Sequence, residues 1–495
     1  MSSPDAHVHV AADVPADLVE QSYALRWPAL FVILTAEVMD LLDALITSIA
    51  GPTIVRDLGG DGTLIQWLAA GYTIAMASGL LVGGRLGDVY GRRRMFLLGM
   101  AGFTLLSLSC ALARSPEMLI ACRVLQGLTG AVMLPQGLGL IKEMFATEEV
   151  AKAFGAFGPV MGLSAVGGPI LAGWLVTANL FGWEWRTIFA INIPLGAAAL
   201  VAGLRLLPTS RPDRSVRIEL TSAAVASGSM FLLIFPLIQG RELGWPVWTY
   251  AMVAAGTLGF GLFALVERAR DRAGKATLVT PSLFGKRAFV AGLLTGMTMF
   301  GALLGFSLVF SLFVQIGLGY SPLKAGLAGV AQAVFLVVGF AVSQPLNERW
   351  GGRRLIQVGQ LLVAVGLGLF ALSLHLAGDS VGIAAMSPGL AVVGVGMGLS
   401  FAPFFDLVLA GVEDREAGSA SGVLTAVQQL GGAFGVAVVG TVFFHAVADG
   451  AATSAVAAFR HGSTVALAVA VGMVLATIAL SALLPARARE DAPAA

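Results

Sequence analysis

Apolar runs of about twenty residues recur along almost the whole 495-residue chain. A run of this length crosses a hydrocarbon core of about 30 Å as an α-helix. Only 12% of the residues are charged, against roughly a quarter in an ordinary soluble domain. The runs are continuous and do not alternate, which predicts helices and excludes the strands of a membrane barrel. We therefore predict an all-α integral membrane protein.

The hydropathy pattern predicts fourteen membrane-spanning helices. Their predicted bounds are 27–50, 63–84, 95–113, 117–140, 154–177, 186–207, 218–239, 247–267, 288–316, 324–345, 355–376, 382–410, 418–447 and 462–485.

The distribution of Lys and Arg predicts the orientation of these spans. With an even helix count, 23 of the 30 basic residues fall on the side that carries both termini, six fall on the other side, and Arg123 lies within a span. Basic loops stay in the cytoplasm, so both termini are predicted to be cytoplasmic. The first 25 residues contain no Lys or Arg and are not a secretory signal.

The segments "LGDVYGRRRM" (86–95) and "LNERWGGRRL" (346–355) align without gaps and indicate a duplication. The first joins spans 2 and 3 and the second joins spans 10 and 11, eight spans later, so two helices are inserted between two six-helix halves. The predicted organisation is a cytoplasmic tail (1–26), a first half (27–207), two inserted helices with flanking loops (208–287), a second half (288–485) and a second tail (486–495).

The loop "GRLGDVYGRRR" (84–94) resembles the signature loop of the major facilitator superfamily. Its arginines also serve as inside-positive topology signals, but that interpretation leaves the spacing of glycine and aspartate unexplained. The resemblance implies a cytoplasmic latch that holds the two halves together and releases them during transport. The latch residues are Gly84, Asp88, Gly91, Arg92 and Arg93.

Two further stretches resemble helix motifs of the same superfamily. "LIACRVLQGLTGAV" (119–132) is similar to its fourth-helix motif. Arg123 in this stretch is expected to face a cavity or a carboxylate, with snorkelling to the outer interface as the alternative. "GAFGPVMGLSAVGGPILAG" (155–173) is similar to its antiporter motif, which implies close helix packing and a bend at Gly158, Gly162, Gly168, Pro169 and Gly173.

The stretches "WEWRTIFAINIPLG" (183–196) and "GSASGVLTAVQQLGGAFGVAVVG" (418–440) resemble the fourteen-helix drug/proton antiporter branch of this superfamily. The resemblance covers nearly all of residues 27–485. It implies the major facilitator fold, with two six-helix halves and two inserted helices.

Three carboxylates, Glu37, Asp40 and Asp43, lie within the first span. On a helix they occupy an arc of about 120° and rise about 9 Å, which makes one polar stripe. Charged groups are costly in lipid, so the stripe is predicted to face the cavity between the halves. Burial and mutual repulsion of the carboxylates there should favour proton binding. "LDALITSIAGP" (42–52) resembles the first-helix motif of the branch, whose characteristic acid falls at Asp43.

Asp43 and Arg123 are predicted to lie at similar depth, where contact between them would couple proton binding to motion of the halves. The alternative is that one or more of the acids is bonded structurally, for example by Tyr72. Tyr72, Gln126 and Asp406 are further candidates to line the substrate cavity, although Asp406 also fits an interfacial position.

The resemblance implies proton-coupled efflux of drugs by alternating access in a bacterial cytoplasmic membrane. The three acids of the first span favour lipophilic cations as the exported compounds. The alternative is an exporter dedicated to one endogenous metabolite, antibiotic or lipid. An enzyme is not expected, because the two cysteines and five histidines have no catalytic or metal-ligand spacing, and there is no phosphate-binding loop. The expected partners are protons, lipid and a lipophilic small molecule, with no metal, cofactor or nucleic acid, and a monomer is expected.

Overall fold

The computed structural model describes residues 23–487, apart from 60–61, 147–148, 210–219, 241–242, 276, 414–415, 450–453 and much of 151–177. The described residues form helices joined by short turns and contain no strand. The long helices are α1 (Arg26–Leu58), α2 (Gly62–Tyr90), α3 (Arg92–Ala111), α4 (Pro116–Met144), α5 (Asn192–Leu206), α6 (Leu220–Gln239), α7 (Val247–Arg272), α8 (Arg287–Leu312), α9 (Val330–Trp350), α10 (Gly352–Ala377), α11 (Ile383–Leu409), α12 (Ala417–Asp449) and α13 (Ala455–Ser481). Short helices, Arg186–Ala190 and Pro322–Ala328, precede α5 and α9.

Eleven helices of the described part are long and apolar enough to cross a membrane. α1 and α2 are also longer than a crossing needs, at 33 and 29 residues. The predicted fifth span (154–177) lies largely outside the described residues, so the count of fourteen is compatible with the structure and stays a prediction. α1 ends at Leu58, eight residues after its predicted end at residue 50. Hydropathy predicts only the part of a helix that lies in the hydrocarbon core, and this helix continues beyond it.

The helices pack in the same order in two groups. In the first, α4 packs on α2 and α3, and α5 packs on α1 and α3. In the second, α11 packs on α9 and α10, and α13 packs on α8 and α10. α12 joins the groups, since it contacts α2 and α4 as well as α8. This arrangement is what a duplicated six-helix unit predicts, although the exact domain boundaries remain a prediction.

Two equivalent glycine turns support the duplication. Gly91, between α2 and α3, has φ 92°, and Gly351, between α9 and α10, has φ 80°. Only glycine adopts this region at low cost, which explains a glycine at both positions. Each turn is closed by an N–H to the carbonyl oxygen four residues earlier, from Gly91 to Gly87 at 2.8 Å and from Gly351 to Asn347 at 2.9 Å.

The arginines after these turns also make equivalent contacts. Arg93 donates to the carbonyl oxygen of Leu204 near the end of α5, and Arg353 donates to Leu484 just after α13, at 3.2 Å. A guanidinium suits the unpaired carbonyls at a helix C-terminus. We call the end of the molecule with these turns the arginine-rich end; it is the end predicted to be cytoplasmic.

The two inserted helices lie beside the junction of the two groups. α6 and α7 pack on each other, and α6 also contacts α2 and α12. The linker after α7 returns to the arginine-rich end, where Glu267 accepts hydrogen bonds from the backbone N–H groups of Leu278 and Val279 at 2.7 and 3.0 Å. The inserted pair is thereby tied to α12, because Thr280 N donates to Ser419 Oγ at 3.0 Å.

Candidate functional site

The acidic stripe of α1 is buried to different degrees along its length. Asp43 is fully buried, Asp40 is 9% exposed, and Glu37 is partly exposed. A carboxylate within a membrane-spanning helix is costly unless it is paired or faces a cavity. The partners of each acid therefore decide what the stripe can do.

Asp43 forms a buried ion pair with Arg123 of α4, whose Nη1 donates to Asp43 Oδ2. Arg123 is 1% exposed, so it does not take the interfacial position considered as its alternative. Taking two charges out of water costs several kcal/mol per ion, which the pair recovers only with good geometry and further hydrogen bonds. The surroundings of the pair provide such bonds.

Two amides also donate to the Asp43 carboxylate. Gln126 Nε2 donates to Asp43 Oδ1 at 3.2 Å, and Gln126 Oε1 accepts from Arg123 Nη1 at 2.9 Å. Asn192 Nδ2, from the first residue of α5, donates to the same Asp43 oxygen at 3.3 Å. The site therefore joins α1, α4 and α5 within the first half. Gln126, predicted to line the substrate cavity, is fully buried in this cluster.

Arg123 is also fixed from α2. Its Nε donates to the carbonyl oxygen of Leu68 at 3.2 Å, and its guanidinium carbon lies 4.3 Å from the centre of the Tyr72 ring. A cation over an aromatic face gains further stabilisation when it is desolvated. Gly127 allows this approach, because a Cβ atom there would collide with the Tyr72 carbonyl oxygen.

Asp40 and Glu37 differ in their partners. Tyr72 OH donates a hydrogen bond to Asp40 Oδ1, in agreement with the structural alternative considered for this acid. The carboxylate of Glu37 has no hydrogen-bond partner among the described residues. Of the three acids, Glu37 is therefore the one available to a ligand.

The stretch 183–196 also contacts α1 near the end of the molecule opposite the arginine-rich end. Trp185 Nε1 and Arg186 Nη1 both donate to Asp57 Oδ2 in the last turn of α1, at 3.0 and 2.6 Å. Arg186 also donates to Ala113 O at 3.2 Å. Since Asn192 of the same motif reaches Asp43, one short stretch holds α1 at two depths.

At the arginine-rich end, the predicted latch residues meet. Asp88 Oδ2 accepts from Arg85 Nη1 at 3.2 Å, and Asp88 Oδ1 accepts from Arg92 Nη2 at 3.4 Å. Arg92 Nη1 also donates to Glu143 Oε1 at 2.9 Å and to Gly139 O at 3.2 Å. Asp88 therefore lies in a charge network that links α2, α3 and α4.

The same residues contact the second group of helices. Gly84 of α2 lies against Gly418 and Gly422 of α12, with too little space for a Cβ atom between the backbones. The Asp88 carboxylate lies against Gly418, in the first turn of α12, where unpaired N–H groups and the helix dipole favour negative charge. Glycines facing one another in this way let helix backbones approach closely.

Lys142 makes a further link between the groups. Its Nζ donates to the carbonyl oxygens of Leu409 and Val412, at 2.8 and 2.9 Å, at the end of α11. Together with the contacts of Gly84 and Asp88, this link closes the arginine-rich end in this structure.

The remaining predicted residues lie away from the ion pair or outside the description. Asp406 is near the end of α11, close to Asn347 of α9, at the arginine-rich end. Gly168 is buried. The other antiporter-motif residues, Gly158, Gly162, Pro169 and Gly173, fall outside the described residues.

Sequence reasoning did not assign roles to Asn192, Lys142 or Glu416. Asn192 was visible as part of "WEWRTIFAINIPLG", but its partner lies 149 positions away. Glu416 is buried beside Lys286 Nζ and Ser282 Oγ, which both donate to its carboxylate. Burial alone would raise the pKa of Glu416, but these hydrogen bonds and the charge of Lys286 outweigh burial and hold the pKa below its ordinary value.

The sequence matches the profile of the Major Facilitator Superfamily over residues 32–436. It is 47% identical over 422 residues to a Streptomyces coelicolor protein described as "Probable actinorhodin transporter", covering 85% of this chain and 73% of the relative. It is 36% identical over 468 residues to a puromycin resistance protein of Streptomyces alboniger, covering 92% of this chain and 90% of the relative.

The structure is similar to that of the human organic anion transporter MFSD10 (TETRAN). The TM-score is 0.64, and the match covers 92% of this chain and 99% of the human chain at 13% sequence identity. At this identity the likeness concerns the fold alone. The helical architecture, the profile match and the bacterial relatives agree on one assignment: the chain is a multi-pass membrane protein that belongs to the major facilitator superfamily.

Proposed function

We propose that this chain exports a lipophilic small molecule by alternating access between its two halves, driven by the proton gradient. The observation that carries the proposal is the buried Asp43–Arg123 pair, which is enclosed by polar side chains in the interior of the first half. An intramembrane carboxylate is a candidate proton carrier, because its charge is costly in each state where it loses its partner.

The proton would act on the contact between Asp43 and Arg123. Ionised Asp43 pairs with Arg123, whereas protonated Asp43 is neutral and leaves the buried guanidinium without its counter-ion. The guanidinium then gains from new partners in a different helix packing. Proton binding and release at Asp43 thereby bias the halves between two arrangements.

The gate in this mechanism is the arginine-rich end. When the two halves move apart at this end, Gly84 separates from Gly418 and Lys142 leaves the end of α11. The proposal places this end in the cytoplasm, as the distribution of basic residues predicts, so the present structure corresponds to a cytoplasmic side that is closed. It works as a monomer with no cofactor.

A cationic substrate is supported by Glu37. Arg123 neutralises Asp43, whereas the hydroxyl of Tyr72 bonds Asp40 without neutralising it. Asp40 and Glu37 therefore carry the remaining acidic groups of the stripe, and Glu37 is the one without a hydrogen-bond partner among the described residues. A positively charged lipophilic compound would compete with a proton for this group. The relative named for puromycin resistance supports an antibiotic as the exported compound.

A second candidate function is export of one endogenous antibiotic. The observation that favours it is the 47% identity to the Streptomyces coelicolor protein whose description names a single compound, actinorhodin. The two candidates share the fold and the proton site. They differ in the number of compounds that are transported.

The test is transport into vesicles that contain the purified protein under an imposed pH gradient. Three probes are compared: a lipophilic cationic dye, puromycin and actinorhodin. The parent protein is compared with Asp43→Asn and with Asp449→Asn, a control that neutralises an exposed carboxylate on α12. We expect gradient-driven transport in the parent and in the control, and loss of transport with retained dye binding in Asp43→Asn.

Each outcome separates the proposals. Transport of actinorhodin alone supports the dedicated exporter, whereas transport of all three probes supports a broad drug exporter. Transport by Asp43→Asn at the rate of the parent contradicts a role for Asp43 in proton coupling. Transport of neutral or anionic compounds without any cation contradicts the role given to Glu37.

A further inference from the structure

Asn192 lies between Asp43 and the backbone of the first half. Its Nδ2 donates to Asp43 Oδ1 at 3.3 Å and to Ser107 Oγ of α3 at 2.9 Å. Ser107 Oγ in turn donates to the carbonyl oxygen of Phe189 at 3.0 Å. A chain of hydrogen bonds thus runs from the acid of α1 through α5 and α3 to the short helix before α5.

Packing does not account for an amide at this position. Asn192 is fully buried, and its Oδ1 has no hydrogen-bond donor among the described residues. A buried polar atom without a partner costs free energy that an apolar side chain of similar shape, such as leucine, would not. The amide at position 192 is therefore explained by the hydrogen bonds of its Nδ2 atom, one of which reaches Asp43.

Four titratable groups of the described residues interact with Asp43. They are Asp40 on α1, Tyr72 on α2, Cys110 on α3 and Arg123 on α4. Arg123 donates to Oδ2 of Asp43, and the neutral amides of Gln126 and Asn192 donate to its Oδ1. Both amides are contacted from α3: Cys110 Sγ donates to Gln126 Oε1 at 3.8 Å, and Ser107 Oγ accepts from Asn192 Nδ2 at 2.9 Å.

We propose that Asn192 is a positioning residue for the proton site: it holds Asp43 Oδ1 in place so that Oδ2 of the ionised carboxylate stays on Arg123. This inference rests on the proposed proton-coupled function. Its physical basis is that a donor to a carboxylate stabilises the ionised form and leaves the protonated form with less benefit. Removing the donor makes proton release require a higher pH.

The experiment measures proton release by purified protein as the pH is raised, with a pH-sensitive dye, and transport of the cationic dye over the same range. Asn192→Leu removes the amide, and Ser107→Ala removes the anchor of the amide. Ser109→Ala is the matched control, because Ser109 is on the same helix, is partly exposed, and its hydroxyl donates only to Leu105 O among the contacts described.

We expect the midpoint of proton release in Asn192→Leu to move upward by on the order of one pH unit. Ser107→Ala should move it in the same direction by less, and Ser109→Ala should leave it unchanged. Asn192→Leu should also lower thermal stability at neutral pH, because it removes a donor from a buried carboxylate. A shifted midpoint in a protein that remains folded is a result that a purely structural role does not give.

An unchanged midpoint in Asn192→Leu overturns the inference, whether or not the transport rate falls. A lower melting temperature without a shifted midpoint overturns it as well, since that result makes Asn192 a packing residue. Asp43→Asn is measured in parallel. If that variant still releases the proton, the proposed function fails; if it loses the proton while Asn192→Leu shows no shift, the inference alone fails.

Discussion

Asp88 of α2 and Gly418 of α12 are in such close contact that a Cβ atom added to Gly418 would lie 2.6 Å from Asp88 Cγ. One residue belongs to the first group of helices and the other to the second. The contact therefore exists only while the arginine-rich end is closed. Its dimensions allow glycine and exclude larger residues.

Gly84→Ala tests this closure, because a Cβ atom there would lie 2.6 Å from Gly418 O and 2.9 Å from Gly422 Cα. Backbone atoms cannot move aside without separating the helices. Overpacking of this kind costs about 1–3 kcal/mol, which lowers the ratio of closed to open molecules by about 5- to 150-fold. We expect a longer distance between spin labels at the exposed positions Arg94 and Arg354, in a background without the native cysteines.

Gly368→Ala is the control for Gly84→Ala. A Cβ atom at Gly368 meets nothing within 4 Å, on an exposed face of α10. The label distance should match that of the parent in this variant. An unchanged distance in Gly84→Ala as well would show that the contact does not determine which end is closed.

Glu416 makes the docking of the linker after α7 dependent on pH. Because its pKa lies below the ordinary value of 4.5, ionised Glu416 contributes stability in full above about that pH, and the contribution is lost as the pH falls through the lowered pKa. At pH 7 we expect Glu416→Gln to lower the free energy of unfolding by about 1–3 kcal/mol. The measurement is thermal unfolding in detergent at several pH values.

The partner of Glu416 provides the control. Lys286 donates to Glu416 and, at 2.7 Å, to Gly411 O. In a double-mutant cycle, Lys286→Met should cost less in the Glu416→Gln background than in the parent at pH 7. Equal costs in the two backgrounds, or a Glu416→Gln effect that persists at acid pH, would contradict a stabilising ion pair.

Much of the fold follows from local pattern. The continuous apolar runs predict the helices, and the two copies at 86–95 and 346–355 predict equivalent turns, which Gly91 and Gly351 form. The similar depths expected for Asp43 and Arg123 allow a contact between them without requiring it, and the structure contains that contact. These results depend on helix length, register and backbone conformation, and each of these is encoded within short stretches of sequence.

The remaining contacts depend on tertiary packing. Lys142 donates to Leu409, 267 positions away, and Asn192 reaches Asp43. A periodic pattern places a side chain on a helix face but does not name the helix that it faces. For the same reason, Tyr72 and Gln126 were expected at the substrate cavity, whereas they bond to Asp40 and to the Asp43–Arg123 pair.

The exposed pair of Asp57 and Arg186 should contribute little to stability. Their side chains are 40% and 27% exposed, so water screens the interaction. Asp57→Asn keeps an acceptor for Trp185 and loses the charge, and we expect a loss of about 0.2–1 kcal/mol. The melting temperature in detergent measures this loss. A loss several times larger would mean that the contact holds α1 in place through more than an exposed ion pair.

Breaking the buried pair of Asp43 and Arg123 should, in contrast, cause a large loss of stability. Arg123→Met leaves Asp43 without its counter-ion inside the protein, and breaking a buried pair on one side costs about 3–5 kcal/mol. Adding Asp43→Asn removes the stranded charge, so the double variant should melt at a higher temperature than Arg123→Met alone. It should nevertheless lack gradient-driven transport, because no ionisable group remains at the pair. If the two losses of stability simply add, the residues do not interact as a pair; if the double variant transports normally, the proton is carried elsewhere.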